Sequence, residues 1–345
     1  VSAPSRLDSL DMFGAAAGLA EQVEVAAASA AALDGLPSAE GIRSVAVLGM
    51  GGSGIGGDLL AAVSGSRLPV PVVVPKGYEA PAFVGPDTLV FAVSFSGNTE
   101  ETISAASSAA ERGARIVVIA AGGEMARLAG EWGAPVVPIA AGIPMPRAGI
   151  GAVAIPPLVI LERLGLLEGI SAEIAGAAEQ LRRRRDQLTG TDSVAATLAR
   201  HIGRTMPIVY GGGALGEVAA ARWKGQFNEN TKIPSFANRI PELTHNEICG
   251  WGQHGDVTRQ VFSLLLLRHS FEHPQTRRRF AMVAEIMDEV VAGVHQVEAE
   301  GDSILGQLLD LVLLGDFVSL ELAAQSGVDP GPVPILDQIK AALRA

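Results

Sequence analysis

The chain of 345 residues carries a single cysteine, Cys249. One thiol excludes an intrachain disulfide framework and a cysteine-based zinc site. Aromatic residues make up 4% of the sequence against 48% hydrophobic residues, so its cores must be built from Ala, Val, Leu and Ile. Small aliphatic side chains favour α/β layers over an aromatic-rich β-sandwich. Positive charge is in the minority too: 26 Lys and Arg against 37 Asp and Glu leave a formal charge of −11. That balance argues against a nucleic-acid binder or a polybasic membrane-surface protein. A small anionic ligand stays open, because it answers to the local field and not to net charge. No apolar run reaches spanning length and no basic-then-apolar leader is present, so a soluble, cytoplasmic protein is the expectation. The length accommodates two domains of ordinary size.

What the sequence does have is punctuation rich in small polar residues. The apolar run Thr88-Leu89-Val90-Phe91-Ala92-Val93 reads as a buried strand, and Ile103 to Ala110 reads as a helix. Between them stands Ser94-Phe95-Ser96-Gly97-Asn98-Thr99-Glu100-Glu101-Thr102. A strand-to-helix junction exposes free backbone N–H groups and the positive end of the helix dipole. A single cap needs one hydroxyl, and this loop supplies three, at Ser94, Ser96 and Thr99. The surplus points to a phosphate dianion held by hydroxyls and amides.

A second junction has the same logic. Ser44 to Leu48 is a short strand, Gly49-Met50-Gly51-Gly52-Ser53-Gly54 follows, and Leu59 to Val63 resumes a helical pattern. Glycine lets the backbone approach a phosphate, with Gly51, Gly52 and Ser53 at the contact. The run also matches the dinucleotide fingerprint. That reading wants an acid at the end of the next strand, Val70 to Val74, which ends instead in Pro75-Lys76-Gly77. Further strands are expected at 115–119 and 135–139 with a helix near 124–131 between them, giving a parallel, doubly wound sheet. Ligands bind such sheets at the carboxyl ends of the strands, where both loops lie. Arg147 stands in the stiff loop Ile143 to Gly149 before a helix over 150–165, where a guanidinium at the same edge is open but composition alone reads a surface arginine.

Residues 171–200 read as helical, with Arg182 to Arg185 as a solvated basic face. Met206 to Tyr210, then Gly211-Gly212-Gly213, then a helix over 214–227, repeat the order of strand, glycine turn and helix. This second loop has no serine, so no phosphate is expected there. Asn228-Glu229-Asn230-Thr231-Lys232 ends the helix, a strand is expected over 232–238, and Thr244-His245-Asn246-Glu247 follows. The cluster suits acid/base chemistry; equally, Glu229 could pair with Lys232 and His245 could sit in a plain surface turn. Cys249 reads as a packing residue, and His269, His273 and His295 as surface or packing residues.

Ser-x-Ser-Gly-Asn-Thr-x-Glu-Thr resembles the phosphosugar loop of SIS (sugar isomerase) domains. Glu229 followed sixteen residues on by His245, with Lys340 in the ending Pro332-Val333-Pro334-Ile335-Leu336-Asp337-Gln338-Ile339-Lys340, resembles the bifunctional phosphoglucose/phosphomannose isomerase family. The resemblance implies two doubly wound α/β domains of SIS type with parallel sheets and flanking helices. They would lie at 41–168 and 169–345, after a helical lead-in over 1–40. It implies an aldose-ketose isomerase acting on glucose 6-phosphate, and on mannose 6-phosphate, to give fructose 6-phosphate without metal or cofactor. Glu229 would be the base and Arg147 the oxyanion holder, with His245 and Lys340 opening the ring. Gly51, Gly52, Ser53, Ser94, Ser96 and Thr99 would hold the phosphate. It also implies a homodimer in which His245 comes from the neighbouring subunit. Many members carry Thr just before the last Pro-Val, where this chain has Gly331, which bears on acceptance of both epimers. The alternative is a non-catalytic phosphosugar sensor using the same loops.

Overall fold

The computed structural model describes residues 7–190 and 192–343. They divide into two compact units. One comprises Gly18–Arg183 with Glu300–Asp310; the other comprises Arg184–Ala299, the described residues up to Ala17, and those from Leu311 on. Each contains one sheet.

In the first, β1 (Ser44–Leu48), β2 (Val72–Val73), β3 (Thr88–Ser94), β4 (Arg115–Ala120) and β5 (Val136–Pro138) form a sheet in the order β2-β1-β3-β4-β5. Every pairing is parallel, with Leu48 opposite Ala92 and Ser94 opposite Ala120. β3 is buried at all seven positions, which is why its sequence runs continuously apolar and does not alternate. Ala105, Ala106 and Ala109 of the helix Glu100–Glu111 pack on Ala46, Val90, Ala92 and Val118. Alanine at these contacts lets helix and sheet approach closely, the physical counterpart of the low aromatic content.

The second sheet contains β6 (Met206–Gly212), β7 (Phe236–Ile240), β8 (Phe262–Arg268) and β9 (Gly293–Glu298), all parallel, in the order β7-β6-β8-β9. This is the first sheet's order without its last strand. The helix Gly213–Gln226 follows β6 as Gly51–Ser64 follows β1. Each of these helices opens on a left-handed glycine, Gly51 at φ 54° and Gly213 at φ 59°. A side chain at that conformation is disfavoured, so both turns need glycine.

Several expectations are corrected. The strand expected over 232–238 is Phe236–Ile240, because Lys232 takes a left-handed turn (φ 59°) that ends the preceding helical segment. The helix Pro274–Asp288 and β9 lie in sequence whose polarity hid them, and the apolar run Phe262–Arg268 forms β8, a strand that was not expected. The Arg182–Arg185 run is not uniformly solvated: Arg184 is buried, while Arg182 pairs with Glu24 at 2.5 Å. Cys249 is exposed and does not pack in the core.

Candidate active site

In each sheet the strand order reverses next to its first strand, between β1 and β3 and between β6 and β8. At these switch points a doubly wound sheet opens a crevice at its carboxyl edge.

At the first one, the loops after β1 and β3 are joined by short bonds. The Phe95 N–H donates to Ser53 Oγ at 3.2 Å, so the buried serine of one loop holds the backbone of the other. Ser94 Oγ donates to Thr99 Oγ1 at 3.0 Å and accepts from the Thr99 N–H at 3.4 Å. Ser96 Oγ accepts from the Asn98 N–H at 3.2 Å. Asn98 was not among the expected site residues, yet its Oδ1 accepts from the Glu124 N–H at 3.1 Å. Gly97 sits at φ 73°, and a Cβ there would fall 1.8 Å from the Gly122 carbonyl oxygen. No other residue fits that corner.

Arg147 reaches the same corner through its backbone. It lies in a short 3-10 turn, Pro146–Ala148, and is 3% exposed. A Cβ on Gly52 would stand 3.1 Å from the Pro146 carbonyl oxygen and 3.5 Å from Arg147 Cα, so this glycine is the seat on which the arginine turn rests. Gly51, Gly52, Ser53, Ser94, Ser96, Thr99 and Arg147 thus belong to one neighbourhood of one unit. Ser/Thr hydroxyls beside two helix N-termini, with the turn of the buried Arg147 close by, suit an oxyanion ligand.

The second switch point is furnished differently. Glu272 fills the space in front of β6: a Cβ on Gly212 would lie 3.2 Å from Glu272 Oε1 and 2.9 Å from the Phe280 ring. The Glu272 carboxylate accepts from Arg268 Nη2 at 2.8 Å and from the His269 N–H at 3.0 Å. His269 is buried, its Nε2 lies 2.8 Å from the Gly212 carbonyl oxygen, and its Nδ1 has no hydrogen-bond partner. Burial holds the His269 pKa below the ordinary imidazole value. The serine-free loop is therefore closed by the protein's own carboxylate.

Glu229, His245 and Lys340 belong to this second unit. Glu229 lies in a single π-helical turn, Phe227–Thr231, that extends the helix Gly213–Gln226. Such turns displace a side chain from the helical register and recur at functional sites. The Asn230 amide donates to Ser319 Oγ and the Asn228 amide to the Ile233 carbonyl, each at 2.9 Å. Beneath the turn, Arg222 and Asp316 form a buried pair at 2.9 Å, and the Gln226 amide donates to the same carboxylate at 2.7 Å. Lys232 Nζ donates to the Glu229 carbonyl oxygen at 2.5 Å.

His245 is exposed at the end of a 3-10 turn, Glu242–His245, just after β7. The next turn is tied down by Glu247, whose carboxylate accepts from the Tyr210 hydroxyl and the Asn238 amide. Burial and that bond push the Tyr210 pKa up, so the phenol stays protonated. Tyr210 and Glu247 were not expected as site residues; a tyrosine in an otherwise aliphatic buried strand was the available signal. Lys340 lies on the helix Pro334–Leu343, which has no buried residue. Gly331 precedes that helix, and a Cβ there would stand 2.8 Å from Leu10 Cγ. The room a threonine would use is taken by a leucine.

The fold and the first corner define a protein of the SIS class, and sequence comparison agrees. Residues 41–132 match the SIS domain, and residues 191–343 match the bacterial phospho-glucose isomerase C-terminal SIS domain. The chain is 35% identical to a bifunctional phosphoglucose/phosphomannose isomerase of Caldicellulosiruptor bescii, over 95% of this chain and 98% of that one. It is 33% identical to the protein of the same name from Aquifex aeolicus, over 88% and 91%. Among solved structures, a hypothetical protein from Thermus thermophilus superposes with a TM-score of 0.74 at 16% identity, covering 97% of this chain and 90% of that one. The last likeness concerns the fold alone. The chain belongs to the bifunctional phosphoglucose/phosphomannose isomerase family.

Proposed function

We propose that this chain interconverts glucose 6-phosphate and mannose 6-phosphate with fructose 6-phosphate through an enediolate. The observation that carries the reading is the corner in which Ser53, Ser94, Ser96 and Thr99 line two helix N-termini beside the buried Arg147 turn, in a chain belonging to that family. The hydroxyls and amides hold the ester phosphate. His245 and Lys340 move the protons that open the ring, between the ring oxygen and the anomeric hydroxyl. Glu229 takes the proton from C2 of the open-chain aldose, and the electron pair moves into the C1 carbonyl. Arg147 stabilises the oxyanion of the resulting enediolate. The O2 proton passes to O1 and the proton held by Glu229 returns to C1, which leaves a carbonyl at C2 and a hydroxyl at C1, so the product is an isomer and nothing is oxidised overall. The working assembly is a homodimer to which His245 contributes across the interface, a role that its exposed position suits.

A coupled assay with a panel of hexose and pentose phosphates tests this directly. Glu229→Gln is expected to lower kcat by roughly 10²–10⁴, the usual worth of a positioned acid/base group, while the variant still gains thermal stability from fructose 6-phosphate. Undiminished turnover in Glu229→Gln removes the assigned base. Ligand-dependent stabilisation of the wild type without any turnover identifies a sensor instead.

A further inference from the structure

Lys232 occupies a conformation that lysine adopts at a cost. Among the described residues only Asp11 and Lys232 combine a side chain with a positive φ, and Lys232 stands at 59°. A glycine there would be free of the Cβ penalty. Strain kept at a non-glycine residue points to something its side chain does. The Lys232 ammonium donates to three carbonyl oxygens: Glu229 at 2.5 Å, Asp329 at 3.2 Å and Pro330 at 3.3 Å.

The acceptors come from two places that the proposed chemistry needs. Glu229 lies in the π turn Phe227–Thr231; Asp329 and Pro330 end the segment that leads through Gly331 into the helix of Lys340. That segment is itself organised: Asp329 Oδ1 accepts from the Gly331 N–H at 3.0 Å and from the Ser9 N–H at 3.3 Å. Lys232 is itself exposed, yet its ammonium gathers main-chain oxygens roughly a hundred residues apart in sequence.

We propose that Lys232 is a positioning residue, whose ammonium sets the spacing between the π turn that carries Glu229 and the segment that leads to Lys340. The inference rests on the isomerase reading above. It makes the general base and one ring-opening group two ends of a single clamp. Displacing such a group by about 1 Å is enough to cost on the order of 10²-fold in rate.

The test uses the full chain with Lys232→Met, which keeps the stem and removes the charge, and Lys232→Gly, which also relaxes the backbone. Isomerisation of 2-deuterated glucose 6-phosphate is followed for kcat, KM and the fraction of deuterium delivered to C1 as against lost to solvent, with Tm measured alongside. Both variants are expected to keep KM within about twofold, to lose kcat by about 10- to 100-fold, and to deliver less deuterium to C1. Lys232→Gly is expected to melt higher than Lys232→Met without recovering kcat. Wild-type kcat and deuterium delivery in a folded Lys232→Gly overturn the inference and leave the isomerase reading standing. Absence of turnover in the wild type overturns both.

Discussion

The two switch points start from the same backbone and end with different occupants. In both, a parallel strand runs into a helix through a left-handed glycine, Gly51 or Gly213. After the next strand of the crevice they part. Behind β3 stand Ser94, Ser96 and Thr99, whose hydroxyls bond mainly to one another and to nearby N–H groups. Behind β8 stand Arg268, His269 and Glu272, and the glutamate lies in front of the glycine turn as a built-in anion. A duplicated topology thus offers two helix N-termini, and the loop after the next strand lines one with hydroxyls and sets a carboxylate in front of the other. Fold alone assigns neither role.

The largest expected effect comes from making the first corner resemble the second. Ser96→Asp sets a fixed carboxylate against the incoming phosphate. Two unit charges at about 4 Å repel by about 4 kcal/mol near a protein surface, so kcat/KM should fall about 10³-fold while Tm stays close to wild type. A near-wild-type KM would mean that the phosphate sits elsewhere. Emptying the second corner comes next. Glu272→Ala strands the mostly buried Arg268, and breaking such a pair costs about 3 kcal/mol; urea unfolding should show that loss with kcat unchanged. If kcat fell while stability held, the second corner would have a catalytic part.

Ser53→Ala should be milder. It leaves the Phe95 N–H without its acceptor, at about 1–2 kcal/mol, and should raise KM several-fold by loosening one loop against the other. An unchanged KM would confine Ser53 to a structural role. The smallest effect is a pH effect confined to the second corner. Burial lowers the His269 pKa, so on acidification the unfolded imidazole takes its proton first, near pH 6.5, while the native ring stays neutral. The unfolded state then binds more protons, and stability present at pH 7 declines below about pH 6.5, levelling off beneath the depressed native value. His269→Gln should flatten that decline in Tm, and a slope identical to wild type would place the titrating group elsewhere.

Much of the first corner was legible because its meaning is local. Glycine and serine between an apolar strand and a helix carry the proposed phosphate site in a few consecutive residues, and the boundaries of β1 fall where the run Ser44 to Leu48 predicts. The second unit was harder to read. β8 is a short continuous apolar run, which periodicity alone does not tell from a helix segment, and β9 is an edge strand of mixed polarity. The strand expected at 232–238 failed because a π turn and a left-handed lysine delay it to Phe236. Such features depend on bonds to Ser319, Asp329 and Pro330, and no window around Lys232 contains those partners. The bond that Glu247 makes was hidden for the same reason, since its partner Tyr210 lies 37 residues away. The Leu10 contact that closes the space at Gly331 spans almost the entire sequence.

Cys249 gains a use from its exposure. It is the chain's one thiol, four residues beyond His245 on the adjoining 3-10 turn Glu247–Gly250. A maleimide spin label would therefore attach at a single address without any prior removal of native cysteines. In the homodimer proposed above, distances between two such labels would report how far apart two copies of the histidine turn stand in solution, with and without fructose 6-phosphate.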